Sequence, residues 1–188
     1  MLWRLPCKDP IAIGLFGFAV PLFIIGAMFH GMIPMAGLGT LLALSFGFGA
    51  AAMYVSGAMT YQMPNSYVAT VFFTYGSFFL SFAIAALTGG LGTTMKSAPA
   101  LLTFWFALMA LITIIFFLAS LRTNIGLVLL FGLLAVAFVL MALGNAAIAS
   151  DLFMVVALIG FYLAAVHVIN PVMGKSILPV GSLAPKKA

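Results

Sequence analysis

Residues Ile11–Phe29 read IAIGLFGFAVPLFIIGAMF, an apolar run without one charged side chain. A helix needs roughly 20 such residues to cross the roughly 30 Å of hydrocarbon in a bilayer. Five more runs of the same kind follow, near Gly37–Met59, Tyr67–Leu87, Ser97–Leu118, Ile125–Ala147 and Leu152–Asn170. The whole chain is 66% hydrophobic and 5% charged, with a mean hydropathy of +1.35. A soluble domain of this size cannot hide so much apolar surface. The expected fold class is therefore all-α: a polytopic membrane protein, one bundle of six transmembrane helices. Little chain is left for a second soluble domain.

The basic residues set the expected topology. Arg4 and Lys8 precede the first run, Arg122 lies between the fourth and fifth, and Lys175, Lys186 and Lys187 follow the sixth. Six crossings put all of these on one side and only Lys96 on the other. The positive-inside rule then makes both termini cytoplasmic. The opening MLWRLPCKDP has no small-residue cleavage site and reads as a cytoplasmic segment, not a signal peptide. The expected division is 1–10 as this segment, 11–173 as the membrane domain and 174–188 as a cytoplasmic tail. The net charge of +5 belongs to this topology, so no nucleic acid is expected as a partner; the bilayer is. A cell membrane, plasma or inner, is the expected location.

Between the runs the loops are short. Asp9-Pro10 suits a helix start, with Asp9 as cap, and Asn65 and Ser66 suit a cap for the third helix. Asn170-Pro171 predicts an end or a kink in the sixth. Glycines recur in the first two runs, at Gly14, Gly17, Gly26, Gly47 and Gly49 among others. In lipid, close backbone packing is a main source of helix association, so these predict tight packing and a subunit interface.

No lysine, arginine or carboxylate lies deep in a span. The remaining polar groups are hydroxyls, amides and aromatics. Thr70, Thr74, Ser77 and Ser81 recur at helical spacing and form one stripe. Either each hydroxyl bonds a carbonyl one turn back, or the stripe lines a water- or solute-filled path. Ser56 and Thr60 extend such a path. Asn145 and Asn170 are expected to bridge helices or line a vestibule. His30 and His167 have no carboxylate or cysteine near them in sequence, so structural roles are favoured over a metal or a proton relay. Cys7 stands alone, which excludes an intrachain disulfide. Gly174-Lys175-Ser176 is not a phosphate loop, because Ile169 stands where the earlier glycine is required. No catalytic constellation, metal site or cofactor is expected, and a pore or carrier for something small is.

Ordered motifs narrow this. DPIAIGLFGF at Asp9–Phe18 resembles the NPAPLGLxGF signature of the acetate uptake transporter family, the succinate–acetate permeases. Asn65-Ser66 with Phe73-Thr74-Tyr75-Gly76-Ser77-Phe78, Gly144-Asn145, and Phe161-Tyr162 with Asn170, Gly174-Lys175-Ser176 and Leu178-Pro179-Val180-Gly181 are similar to later family motifs, in the same order. The resemblance spans about Asp9 to Gly181. It implies six helices around a central pore in each subunit and a homohexamer. It further implies passage of acetate or similar small monocarboxylates, with succinate as a further candidate. The family's constriction maps onto Phe18, Tyr75 and Leu134, the last by counting back from Gly144-Asn145. Asp9, Pro10 and Asn170 fall on family motif positions.

The departures are chemical. Asp9 replaces the family's opening asparagine, Ala12 replaces a proline, and Thr60 replaces a glutamate ending the second helix. Pro171 stands where glutamate is frequent, and His167 where some members are acidic. Hydroxyls of Thr74, Tyr75 and Ser77 are the expected substitutes for the anion's hydration. Passive or weakly coupled flow is expected in preference to proton symport. The alternative function is a channel for small neutral solutes such as urea or short amides. A purely structural membrane protein is a third class, which the hydroxyl stripe disfavours.

Overall fold

A computed structural model describes residues 9–63 and 66–183. The first span is helix α1 (Ile11–Phe29). Asp9 Oδ1 accepts the Ile11 N–H at 3.0 Å, satisfying one of the donors that the first turn leaves open. The second span, α2, is continuous over Met35–Thr60, and its middle, Ser45–Ala52, is wound as a π-helix. Then come α3 (Tyr67–Leu87), the short α4 (Gly90–Ser97), α5 (Pro99–Ser120), α6 (Ile125–Ala142) and α7 (Ala146–Met173). Six of these are long and apolar enough to cross a membrane; the exception among the described residues is α4.

Several boundaries differ from the sequence reading: α6 ends at Ala142 instead of Ala147, and α7 begins at Ala146 instead of Leu152. The loop expected at Gly89–Lys96 carries α4, which begins after Gly89 with φ at +72° and is followed by Pro99 opening α5. The sixth span does not stop at Asn170-Pro171: α7 runs through Pro171 to Met173 and ends at Gly174, with φ at +64°. So near a helix end, proline removes only one intrahelical bond. Ser66 makes no side-chain cap on α3, and Asn65 lies outside the described residues. So do Arg4, Cys7, Lys8, Lys186 and Lys187.

Helix α1 is the most buried span and packs most extensively on α7. Its glycines explain the closeness. A Cβ on Gly17 would lie 2.6 Å from the Phe48 carbonyl oxygen in the π-helical turn of α2, and one on Gly26 would lie 2.7 Å from the Ser150 carbonyl oxygen of α7. The start of α1 meets the end of α7, so both ends of the bundle share one face, here called the terminal face. Arg122 and Lys175 belong to that face, and Lys96 to the other, by the order of the spans.

The centre of the bundle is aromatic. Phe18, Tyr75, Phe79, Phe131 and Phe138 are buried there. Tyr75 stacks on Phe131 with centroids 6.3 Å apart, and Phe78 meets Phe138 edge to face at 5.5 Å. Offset and edge-on ring pairs of this kind add about 1 kcal/mol each beyond their area.

Candidate functional site

A cavity of about 240 Å³ enters the bundle from the terminal face. Its walls come from α1, α2, α3, α6, α7 and the turn leading into α6. Ile11 and Tyr67 line it near the first turns of α1 and α3, and Phe18 and Tyr75 line it about 10–12 Å further along the helix axes. There the two rings meet edge to face, with centroids 5.3 Å apart. Phe79 backs Phe18 at 6.2 Å. The cavity therefore ends inward on a wall of aromatic side chains.

The Tyr75 hydroxyl does not face solute. It lies 2.9 Å from Thr113 Oγ1, and Thr113 Oγ1 donates to the Met109 carbonyl at 2.7 Å. Thr113 has one proton and has given it away, so Tyr75 is the donor in the first bond. Tyr75 presents its ring, not its O–H, to the cavity. This corrects the expectation that its hydroxyl solvates an anion. Leu134 is fully buried in the same core, one turn from Phe131, but does not line the cavity.

The hydroxyl stripe of α3 is also elsewhere. Thr70, Ser77 and Ser81 are exposed on the outer surface of the subunit, Thr74 is half-buried, and none of the four lines the cavity. Thr70 donates to the Ser66 carbonyl and Ser77 to the Phe73 carbonyl, at 3.0 and 2.8 Å. Ser77 also meets Tyr54 Oη of α2 at 3.0 Å. A hydroxyl satisfied by its own helix is at little disadvantage facing outward, so its spacing did not report the inner face. Ser56 and Thr60 likewise line no path. Ser56 Oγ donates to the Pro10 carbonyl at 2.6 Å, tying α2 to the start of α1, and Thr60 bonds the Ser56 and Gly57 carbonyls. Asn145 caps α7 by accepting the Ile148 N–H at 3.4 Å, and among the described residues it makes no side-chain hydrogen bond to another helix.

The histidines overturn the expectation that no carboxylate stands beside them. His167 Nδ1 lies 2.5 Å from Asp9 Oδ2, and His30 Nδ1 lies 2.6 Å from Asp151 Oδ1. Both pairs join α1 to α7, one at each end, because the two helices run antiparallel. His167 lines the cavity. Thr123 and Asn124 line it too, and Asn124 caps α6 by accepting the Leu127 N–H. The sequence signal for these pairs was available. The chain has two aspartates and two histidines, at complementary ends of its first and last spans. Reading it required knowing that those spans are neighbours.

Asn170 holds the segment that follows α7. Its Oδ1 accepts the Ile177 and Leu178 N–H groups and its Nδ2 donates to the Leu178 carbonyl, all at 2.9 Å. Tyr162 Oη donates to the Pro179 carbonyl at 2.6 Å. The segment then runs against the turn that lines the cavity, where Leu183 N–H donates to the Thr123 carbonyl and Ile125 N–H to the Gly181 carbonyl. Asn170→Ala removes three hydrogen bonds, about 2 kcal/mol of local stability. Amide exchange at Ile177 and Leu178 should rise about 30-fold. Unchanged exchange would mean that Tyr162 and the α6 contacts hold the strap alone.

Six apolar spans define a multi-pass membrane protein, with a cavity open toward the terminal face and walled inward by aromatic side chains. Comparison with known proteins agrees. Residues 5–184 match the GPR1/FUN34/yaaH family, and the chain belongs to that family, whose members are transporters and channels, not enzymes. It is 28% identical over 180 residues to a protein of Escherichia coli (strain K12) named succinate-acetate/proton symporter SatP, covering 92% of this chain and 95% of that one. It is 28% identical over 145 residues to acetate permease A of Emericella nidulans, covering 72% of this chain and 49% of that one. Among solved structures it is similar to the bacterial acetate channel SatP, with a TM-score of 0.85 and 27% identity over 93% of this chain and 99% of that one.

Proposed function

We propose that this protein carries acetate and similar small monocarboxylates, with the dicarboxylate succinate as a further substrate, across a cell membrane with both termini in the cytoplasm. The observation that carries the reading is a cavity closed inward by the Phe18–Tyr75 pair, in a chain whose relatives are named for acetate and succinate. Phe18, Tyr75 and Leu134 form the constriction in this proposal. Shedding water from a charged carboxylate is costly, so an apolar constriction favours a short acid with a methyl end. The exposed hydroxyl stripe of α3, with Tyr54 beside it, is the part of the outer surface best suited to contact between subunits of a hexameric ring.

The runner-up is a neutral-solute channel for urea or short amides. One observation favours it: the Tyr75 donor is already used by Thr113, which leaves fewer hydrogen-bond donors for an anion. Purified protein in liposomes separates the two. Labelled acetate should enter faster than in protein-free liposomes, with urea at the protein-free rate. Urea flux without acetate flux would overturn the proposal.

A further inference from the structure

The described acid–base side chains of the bundle are few, and they are not equivalent. The His30–Asp151 pair lies at the face opposite the termini, with side chains 46% and 53% exposed. The His167–Asp9 pair is more enclosed, at 30% and 25%, and His167 forms part of the cavity wall. Asp9 occupies Nδ1, so Nε2 is the ring nitrogen with no protein partner among the described residues.

We infer that His167, oriented by Asp9, is where the cavity takes up a carboxylate together with a proton. The inference rests on the monocarboxylate reading above. In the neutral ring Nδ1–H donates to Asp9 Oδ2 and Nε2 carries a lone pair. A lone pair beside an aspartate repels an anion. When a proton from the terminal-face solution binds Nε2, the ring becomes an imidazolium flanked by the Asp9 carboxylate. Nε2–H then donates to the oxygen of an entering carboxylate, and this charge-assisted bond is the stronger kind. One proton and one anion enter together, so the charge of the site is unchanged by loading. On release the proton leaves Nε2, either on the acid or into water, and the ring returns to its neutral tautomer.

The other groups around the pair do not supply this chemistry. Tyr67 and Tyr75 of α3 line the cavity as phenols, and Tyr67 donates to the Phe116 carbonyl. From α2 come Met53, an uncharged wall residue, and Ser56, bonded to Pro10. Arg122 in the turn before α6 and Lys175 after α7 are the cations nearest in sequence to the cavity's rim. Among the described residues neither forms a salt bridge with Asp9. Lys8 precedes Asp9 and lies outside the described residues. Among the described residues, the His167–Asp9 pair is the ion pair that adjoins the cavity.

The test compares the protein with His167→Gln, Asp9→Asn and His30→Gln in proteoliposomes, with uptake of labelled acetate corrected for protein-free liposomes. Between about pH 5 and about pH 8, the range in which a histidine can change charge, wild-type uptake should fall as the pH rises. His167→Gln should flatten that profile, because glutamine can keep the hydrogen bond to Asp9 but cannot take up a proton. Asp9→Asn should shift the profile, and His30→Gln should leave it in place. Proton uptake on acetate binding to detergent-purified protein, from calorimetry in buffers of different ionisation enthalpy, should be lost in His167→Gln. An unchanged profile and unchanged proton uptake in that variant would overturn the inference and leave acetate transport standing. Absence of acetate flux and acetate binding in the wild type would overturn both. If His167→Gln does not purify as a folded protein, a profile unchanged in Asp9→Asn overturns the inference.

Discussion

Tyr75→Ala should relax size selection and destabilise the subunit together. The side chain is 1% exposed, stacks on Phe131 and closes the cavity against Phe18. Its removal joins the cavity to space inside the aromatic core, at a cost of about 4 kcal/mol by analogy with other large-to-small aromatic changes. Discrimination between labelled acetate and butyrate should fall about tenfold, the effect of losing one good apolar contact with a substrate. Tyr75→Phe separates ring from hydroxyl. Thr113 keeps its bond to Met109, so the cost is about 1 kcal/mol and discrimination is retained. An acetate-to-butyrate ratio that is unchanged in Tyr75→Ala would remove this residue from the filter.

Gly17→Val should destabilise the packing of α1 on α2. The new Cβ would sit 2.6 Å from the Phe48 carbonyl oxygen, 2.9 Å from Met53 Cγ and 3.4 Å from Ala52 Cβ. Met53 has a flexible side chain that can yield, but the carbonyl belongs to the backbone of α2. Helix α1 must therefore move away from α2, and both helices wall the cavity. Overpacking of this kind costs about 3 kcal/mol or more, which lowers the melting temperature by about 10 °C. Gly39→Ala, where a Cβ meets nothing within 4 Å, should leave it unchanged. Equal melting temperatures for the two variants in detergent would show that the α1–α2 approach carries no stability.

The spans were legible because each is a local property. Ile11–Phe29 and Tyr67–Leu87 were read to the residue, since length and the absence of charge are written in consecutive positions. The family was legible too, through motifs spread from Asp9 to Gly181, and the match over residues 5–184 establishes it. The candidate site was only partly legible. Phe18 and Tyr75 line the cavity, and Asn170 proves to anchor the strap that follows α7. The stripe Thr70, Thr74, Ser77 and Ser81 does not line the cavity, and the sequence reading did not bring His167 to Asp9.

The reason lies in the solvent. In water, the apolar face of a helix turns inward, so periodicity reports orientation. In lipid both faces are apolar, and a serine bonded to its own helix sits comfortably on either. Which face turns inward is then decided by steric fit, such as Gly17 against the Phe48 carbonyl and Gly26 against that of Ser150. By itself the sequence determined that the chain has six membrane-spanning runs, roughly where each lies and which family it joins, because hydrocarbon thickness acts on each segment separately. Only the tertiary structure decided that the first and last spans run side by side. That adjacency pairs Asp9 with His167, residues 158 positions apart, and no local pattern carries it.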